Sequence, residues 1–405
     1  MQILIVLAWR NLWRYTRRTT IILLAIAIGI WSMLSISALM RGMVEQQVNN
    51  AIRNLVAHVS IHAPEYRDAP VIEHSMLSPN SKLLNLLNNE NVKGWAMRVR
   101  VPAVVRSERE SMGVTLVGID PAQEQGLSFI ADAVTEGRDL QNIDDKGIVL
   151  GRKLVEQLET RIGKRVVLMS QNRANEISER GFRVVGIFAA KMEDTEKQFA
   201  FVGRQVAQTM LGMGNEVSEL AVISKDRNDL DNLLQSLQTA APQLDVQPWQ
   251  KMIPLVMAMV NVSEGFLLIW YLVVFIAMAF GLVNTLLMAV FERTREIGLV
   301  QALGMKPSWI MGQVLFESLF LLAIGLCVGN LLGWATLVFT ANGLDFSRYA
   351  AGYEMAGLSS LIYPVLTSAD LIIANTLIIG LGLIASLYPA WRAARYVPVE
   401  AITRV

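Results

Sequence analysis

Four stretches of this chain carry no charged residue: 21–40, 265–291, 318–344 and 371–391. About 20 apolar residues in a helix rising 1.5 Å each suffice to cross a bilayer, so each stretch is long enough to span one. Only 18% of all residues are charged, against about 25% in soluble proteins, and the deficit is concentrated in these stretches. A soluble enzyme, a secreted disulfide scaffold and a disordered tail are thereby excluded. The single cysteine, Cys327, lies inside the third stretch, so no intrachain disulfide can form and the rest of the chain must fold on its own core. With 36 basic against 35 acidic residues, there is no electrostatic footprint for nucleic acid.

The placement of charge gives an orientation. Arg10, Arg14, Arg17 and Arg18 precede the first stretch with no acidic residue among them, and basic residues beside a span stay on the cytoplasmic side. Arg293, Arg295 and Lys306 put the connection between the second and third spans on that side too. The connection 345–370 holds three acidic residues and one arginine, which suits the outer side. A cleaved signal peptide is the rival reading of the first stretch, but its apolar core is too long and its basic leader unusually extended. The expected layout is therefore a multi-pass inner-membrane protein with both termini cytoplasmic. It reads as an interfacial helix over 1–20, spans at 21–40, 265–291, 311–344 and 371–391, an outer domain over 41–264, a cytoplasmic connection over 292–310, an outer loop over 345–370 and a tail over 392–405.

The fold class that follows is an α-helical membrane protein of four transmembrane helices, with a large α+β extracytoplasmic domain inserted between the first and second. β-rich runs predict strands at 56–61, 99–105, 114–119, 147–150, 165–169, 182–188, 198–202, 219–223 and around Val246. Helices are predicted at 81–87, 153–158, 204–211 and 230–240, in a domain of two lobes. Val44, Val48, Ile52 and Leu55 form one helical stripe after the first span, and 252–262 is helix-compatible with a bend expected at Pro254. Both spans are thus expected to continue outward as stalks.

Chemistry is hard to find. His58 and His62 sit four apart on a predicted strand, about 13 Å from each other, too far to share a metal ion; they read as polar-face residues, and no metal site is expected. No nucleophile elbow, zinc-protease helix or nucleotide-binding glycine loop occurs, so catalytic residues are not expected and ATP is not hydrolysed by this chain alone. Gly325, Gly329 and Gly333 form a doubled small-residue stripe suited to close helix packing, with Ala25 and Gly29 a weaker one. Asn284, Asn330 and Asn375 read as interhelical hydrogen-bonding groups, and Glu317 as the structural partner of a basic residue at the cytoplasmic end.

The connection after the second span reads Phe291-Glu-Arg-Thr-Arg-Glu-Ile-Gly-Leu-Val-Gln-Ala-Leu-Gly-Met-Lys-Pro, a charged element, a short helix and a glycine stop. Ile297, Leu299, Val300 and Leu303 would make it a knob able to enter a protein groove. The segment 292–305 resembles the coupling segment of ABC transporter permeases of the MacB, FtsX and LolC/LolE family. Tyr388-Pro-Ala-Trp-Arg-Ala-Ala-Arg with Pro398-Val-Glu-Ala resembles that family's ending. Val117-Gly-Ile-Asp-Pro and Phe182-Arg-Val-Val-Gly-Ile-Phe are similar to LolC/LolE subunits in particular.

The resemblance implies a dimer with a second copy or a paralogue, joined to two copies of a separate ABC ATPase that carries the ATP and magnesium. Membrane lipids surround it, and its cargo is a lipoprotein or another extracytoplasmic molecule. It implies docking on the ATPase by Glu292, Arg293, Thr294, Arg295, Glu296, Ile297, Gly298, Ala302, Leu303 and Gly304. It also implies an acyl-chain path lined by Met33, Leu34, Ser37, Met257 and Val260. The expected function is mechanotransmission that extracts lipoproteins from the outer leaflet. The alternatives are a MacB-like tripartite pump subunit and an FtsX-like regulator of a cell-wall hydrolase. One departure stands out: 170–181, where LolC has a proline-bracketed hook, is short and has no proline.

Overall fold

The computed structural model describes residues 2–190, 192–226, 229–346, 348 and 361–395; the predicted 398–401 ending and, in the loop 345–370, residues 347 and 349–360 lie outside them. Helices α1 (Gln2–Arg14) and α2 (Thr16–Ala51) lead into β1 (Val59–His62), β2 (Met76–Leu77), α3 (Ser81–Leu87), β3 (Val92–Arg106), β4 (Ser111–Ile119) and α4 (Pro121–Glu124). Then come β5 (Val134–Gly137), β6 (Gly147–Gly151), α5 (Arg152–Gln157), β7 (Arg165–Gln171), β8 (Ile177–Phe188), α6 (Glu193–Gln198), β9 (Phe199–Gly203) and α7 (Arg204–Leu211). The domain ends with β10 (Glu216–Val217), β11 (Glu219–Ser224), α8 (Leu230–Ala240), β12 (Asp245–Pro248) and α9 (Trp249–Met252). The chain returns through α10 (Pro254–Glu292), α11 (Thr294–Ala302), α12 (Pro307–Phe339), β13 (Leu344–Asp345), β14 (Leu361–Ile362) and α13 (Ser368–Ala394). Of these, α2, α10, α12 and α13 are long and apolar enough to cross a membrane.

The described residues form two compact units, one of Gln46–Ala258 and one of the flanking helices. In the inserted domain the strands run β12-β1-β11-β3-β4-β9-β6-β8-β5, with β7 pairing both β3 and β8. That second pairing completes a closed circuit of β3, β4, β9, β6, β8 and β7, which leaves those strands without a free edge. Its interior is filled by Val99, Val101, Leu116, Ile148, Leu168, Phe182 and Val202. A second lobe packs α3 and α8 on β1, β11 and β12 through Ile61, Leu83, Leu220, Leu233 and Leu237. Strand β3 belongs to both: 92–98 pair with β11 and 99–106 with β4.

Two local expectations are corrected. The strand expected at 56–61 begins at Val59, because α2 ends in a widened turn over Ile52–Val56 and the chain reverses through left-handed Leu55 (φ 70°) and Ala57 (φ 59°). Pro254 does not bend a helix but opens one: the break falls at Ile253, and proline at the first helical position forfeits no intrahelical bond. Helices α2 and α10 do run beyond the apolar stretches; of the predicted stripe, Val44 and Val48 lie on α2, whereas Ile52 and Leu55 fall in the widened turn beyond it, and Val48, Ile52 and Leu55 are buried.

His58 and His62 are buried rather than on a polar face, since β1 lies between β11 and β12 and is covered throughout. His58 Nδ1 accepts from the Ser224 amide (3.1 Å), and His62 Nδ1 donates to the Ser218 carbonyl (3.2 Å). Among the described residues no cluster of three metal-ligating side chains occurs. Burial depresses the His62 imidazole below its usual range, against the pull of Glu219 and Asp245 and with help from Arg100. The native state therefore binds fewer protons than the unfolded chain as pH falls through the usual imidazole range, and stability is lost in that window. Melting curves of the full chain from pH 8 to 5 should show this loss, and His62→Gln should flatten it; an unchanged slope would remove His62 from the account.

Candidate functional site

The predicted coupling segment is α11 with its two flanks. Helix α10 ends at Glu292, Arg293 caps α11, and Gly304 (φ 98°) makes the left-handed turn that stops it before Pro307 opens α12. The short helix presents two faces. Thr294 and Gly298 are buried, Ile297 is half-buried against Val290, Ile310 and Val314, and Thr294 Oγ1 donates back to the Phe291 carbonyl (2.8 Å). Arg295, Leu299, Ala302, Leu303 and Gly304 are exposed; Leu303 has 81% of its surface open. The ten predicted docking residues thus divide into those that hold the helix and those free to meet a partner, a division the linear motif does not reveal.

Charged contacts fasten this helix to its own subunit. Arg293, 6% exposed, donates through Nη1 to Glu317 Oε1 (2.8 Å) and through Nη2 to the Asn11 carbonyl (3.1 Å). Asn11 Nδ2 donates to the same Glu317 oxygen (2.7 Å), and Arg293 lies 5.4 Å over the Tyr15 ring. Glu317, expected to partner a basic residue, therefore meets Arg293 at the mouth of the preceding helix. Two surface pairs add to this, Arg14–Glu296 (3.0 Å) and Arg18–Glu292 (2.8 Å). Exposed pairs contribute up to about 1 kcal/mol each, but here they join α1 and the start of α2 to the end of α10 and the first turn of α11.

The glycine stripe of α12 meets α2. A Cβ added at Gly325 would lie 2.5 Å from Ile26 Cγ2, at Gly329 2.6 Å from Ile30 Cβ and 2.8 Å from the Ala27 carbonyl oxygen, and at Gly333 2.9 Å from Leu34 Cδ1. Helix α12 also holds α13, through Asn330–Asn375 (2.7 Å) and Ser318–Ser386 (3.0 Å). Asn284 instead lies exposed on α10, and Gly29 faces Val274 and Met278 of α10 at ordinary contact distance. Of the predicted cargo-path residues, Met33, Leu34 and Ser37 are fully buried, Leu34 against Gly333 and Ser37 accepting from the Tyr271 hydroxyl (3.0 Å). Met257 and Val260 are half-buried on α10.

One constellation has no counterpart in the sequence reading. Arg98, 0% exposed, sits where β3 passes from one lobe to the other. It makes a bidentate pair with Glu124 (2.7 and 2.9 Å), a third bond to Glu219 (2.9 Å) and a fourth to the Leu55 carbonyl (2.8 Å). The available signal was charge in two strand runs: Arg98 and Arg100 alternate with apolar residues over 96–101, and Glu219 opens the apolar run 219–223.

Residues 19–240 match the model of the MacB-like periplasmic core domain, and residues 268–398 that of the FtsX-like permease C-terminal region. The lipoprotein-releasing system transmembrane protein LolC of Neisseria meningitidis is 23% identical over 402 residues, covering 95% of this chain and 93% of its own. LolE of Haemophilus influenzae is 22% identical over 94% of this chain and 92% of its own. The macrolide export ATP-binding/permease protein MacB of Nitrobacter winogradskyi is 35% identical over 124 residues, 31% of this chain and 17% of its own. A four-helix membrane unit with a coupling turn, interrupted by a two-lobed extracytoplasmic domain that matches this model across more than half the sequence, places the chain in the family of ABC transporter permeases with a MacB-like periplasmic core domain and an FtsX-like permease region.

Proposed function

We propose that this chain is the permease subunit of a transporter that extracts lipid-anchored proteins from the outer leaflet of the inner membrane, driven by a separate ATPase that holds the ATP and magnesium. The observation that carries this reading is the reach of the similarity. LolC and LolE align over 95% and 94% of the chain, membrane unit and inserted domain alike, whereas the MacB alignment covers 31% of it. In this reading both termini are cytoplasmic, and Arg295, Leu299, Ala302 and Leu303 enter a groove of the ATPase. Glu292, Arg293, Thr294, Glu296 and Gly298 serve the same docking by fixing the helix that carries it.

Closure of the ATPase then displaces α11. The Arg293–Glu317 pair passes that displacement to α12, the glycine seam passes it to α2, and α2 continues unbroken to Ala51, close to the Leu55 carbonyl that Arg98 holds. The second permease, a copy or a paralogue, lies along the outward face of α10. There Val262, Phe266, Ile269, Val273, Ile276 and Phe280 are exposed at alternating steps of four and three, the spacing of a supercoiled helix pair. Acyl chains that reach Met33, Leu34 and Ser37 must part Tyr271 from Ser37 to do so.

One observation counts against docking of a carrier by this subunit, and the pump reading needs no such docking. The tip of the β7–β8 hairpin is tied to the domain body, with the Arg173 amide donating to the Leu211 carbonyl (3.1 Å) and its guanidinium paired with Glu216 (2.5 Å), so it does not form a free hook. Reconstitution with the cognate ATPase separates the two. Triacylated lipoprotein should stimulate hydrolysis and soluble peptide should not, and Leu303→Asp should weaken ATPase copurification about tenfold or more, as loss of a buried anchor does. Stimulation by peptide alone would replace the lipoprotein reading with the pump.

A further inference from the structure

A cavity of about 260 Å³ opens between α1, the end of α10, α11 and the start of α12. Leu286, Val290, Ile310 and Val314 wall it on the bundle side. Its charged lining is balanced: Arg14 and Glu296, both about half exposed, stand at the open side, and Arg293 and Glu317 at the buried side. Arg293 and Glu317 already pair with each other (2.8 Å), which leaves Arg14 and Glu296 at the open side as the charges a ligand can reach. Exposed Trp9, Trp13 and Trp309 surround this end of the bundle, the residue type that settles at headgroup depth.

These features call for a ligand with an apolar body, an anionic acceptor for Arg14 and a cationic donor for Glu296. An anionic amphiphile would satisfy Arg14 but leave Glu296, parted from it, without a counter-charge. We infer that the cavity binds one aminophospholipid of the adjoining leaflet, a zwitterion of the phosphatidylethanolamine type. Its phosphate approaches Arg14, its ammonium donates to Glu296, and its chains follow Leu286, Ile310 and Val314. The Arg14–Glu296 pair can open to admit it, because an exposed ion pair holds little free energy of its own. Seated there, the lipid bridges α1 and the coupling helix. The inference does not depend on which cargo is moved.

The test is retention of lipid by the full chain purified with its ATPase, read by native mass spectrometry after exchange with phosphatidylethanolamine, phosphatidylcholine or phosphatidylglycerol of the same chains. One phosphatidylethanolamine should be retained about tenfold better than phosphatidylcholine, whose trimethylated ammonium cannot donate a hydrogen bond; that factor corresponds to one charge-assisted bond. Glu296→Gln, a change at a half-exposed site compatible with folding, should bring the two to parity. Equal retention of both in the wild type, preference for phosphatidylglycerol, or no effect of Glu296→Gln would each overturn the assignment.

Discussion

Arg98→Met lowers the stability of the inserted domain by about 3–5 kcal/mol, the cost of removing one partner from a buried ionic cluster. The loss is large because the variant leaves Glu124, 0% exposed, as a buried carboxylate without a cation and Glu219, 1% exposed, with Arg100 alone at 3.5 Å, and deprives the Leu55 carbonyl of its donor. Burial pushes the Glu219 carboxyl upward, but Arg98 and Arg100 more than offset it and hold it below the usual carboxylate range. Its contribution is therefore fully present above that range and is lost as pH falls through the depressed native value. Pulse proteolysis of the full chain across a urea series measures the effect. Arg98→Lys should recover little, since an ammonium cannot span Glu124 bidentately and still reach Glu219 and Leu55. The triple variant Arg98→Met, Glu124→Gln, Glu219→Gln should recover part of the loss by removing the stranded charges. A wild-type urea midpoint for Arg98→Met would show that the cluster does not hold the two lobes.

The contrast between what the sequence discloses and what it hides follows from this cluster. Strands such as 147–150 and 219–223 are legible because short apolar runs, rich in β-branched residues and bounded by glycine or polar residues, have few other ways to bury themselves. The helix at 81–87 is legible from its own boundary, where Asn80 accepts from the Leu83 amide as a cap. Strand β5 is not, because Val134-Thr-Glu-Gly has neither an apolar run nor alternation and is ordered by its neighbour β8. The closure of the circuit by β7 depends on pairings between 104–106 and 167–169, which no local pattern encodes. At the coupling turn the motif announces its residue types, but its division into holding and docking faces depends on where α1 and α12 sit. Glu317 shows the boundary well: its chemistry demands a basic partner, while only the fold selects Arg293.

Gly329→Ala should be the most damaging single methyl in the membrane unit, at about 1–3 kcal/mol for an overpacked contact. Helix association in lipid gains little from burying apolar surface and relies on close packing, so the distance between α12 and α2 is the quantity at stake. At Gly333 the added methyl meets the far end of Leu34, a side chain that can rotate away. At Gly325 it meets Ile26, whose Cβ lies 2.7 Å away and is stiffly placed by β-branching. At Gly329 it meets both Ile30 Cβ and the backbone oxygen of Ala27, and backbone can yield only if the whole helix moves. Thermal stability in detergent, followed by size-exclusion of the full chain, should therefore fall in the order Gly329→Ala, Gly325→Ala, Gly333→Ala. Adding Leu34→Ala should rescue the last, whereas adding Ile30→Ala should leave the first damaged, because both opposing atoms remain. If the seam passes motion from the coupling turn to α2, Gly329→Ala should also reduce cargo-stimulated ATP hydrolysis at temperatures where the protein stays folded and keeps its ATPase. Equal tolerance at all three positions would mean that α2 and α12 can separate without cost, and a contact of that kind could not transmit force.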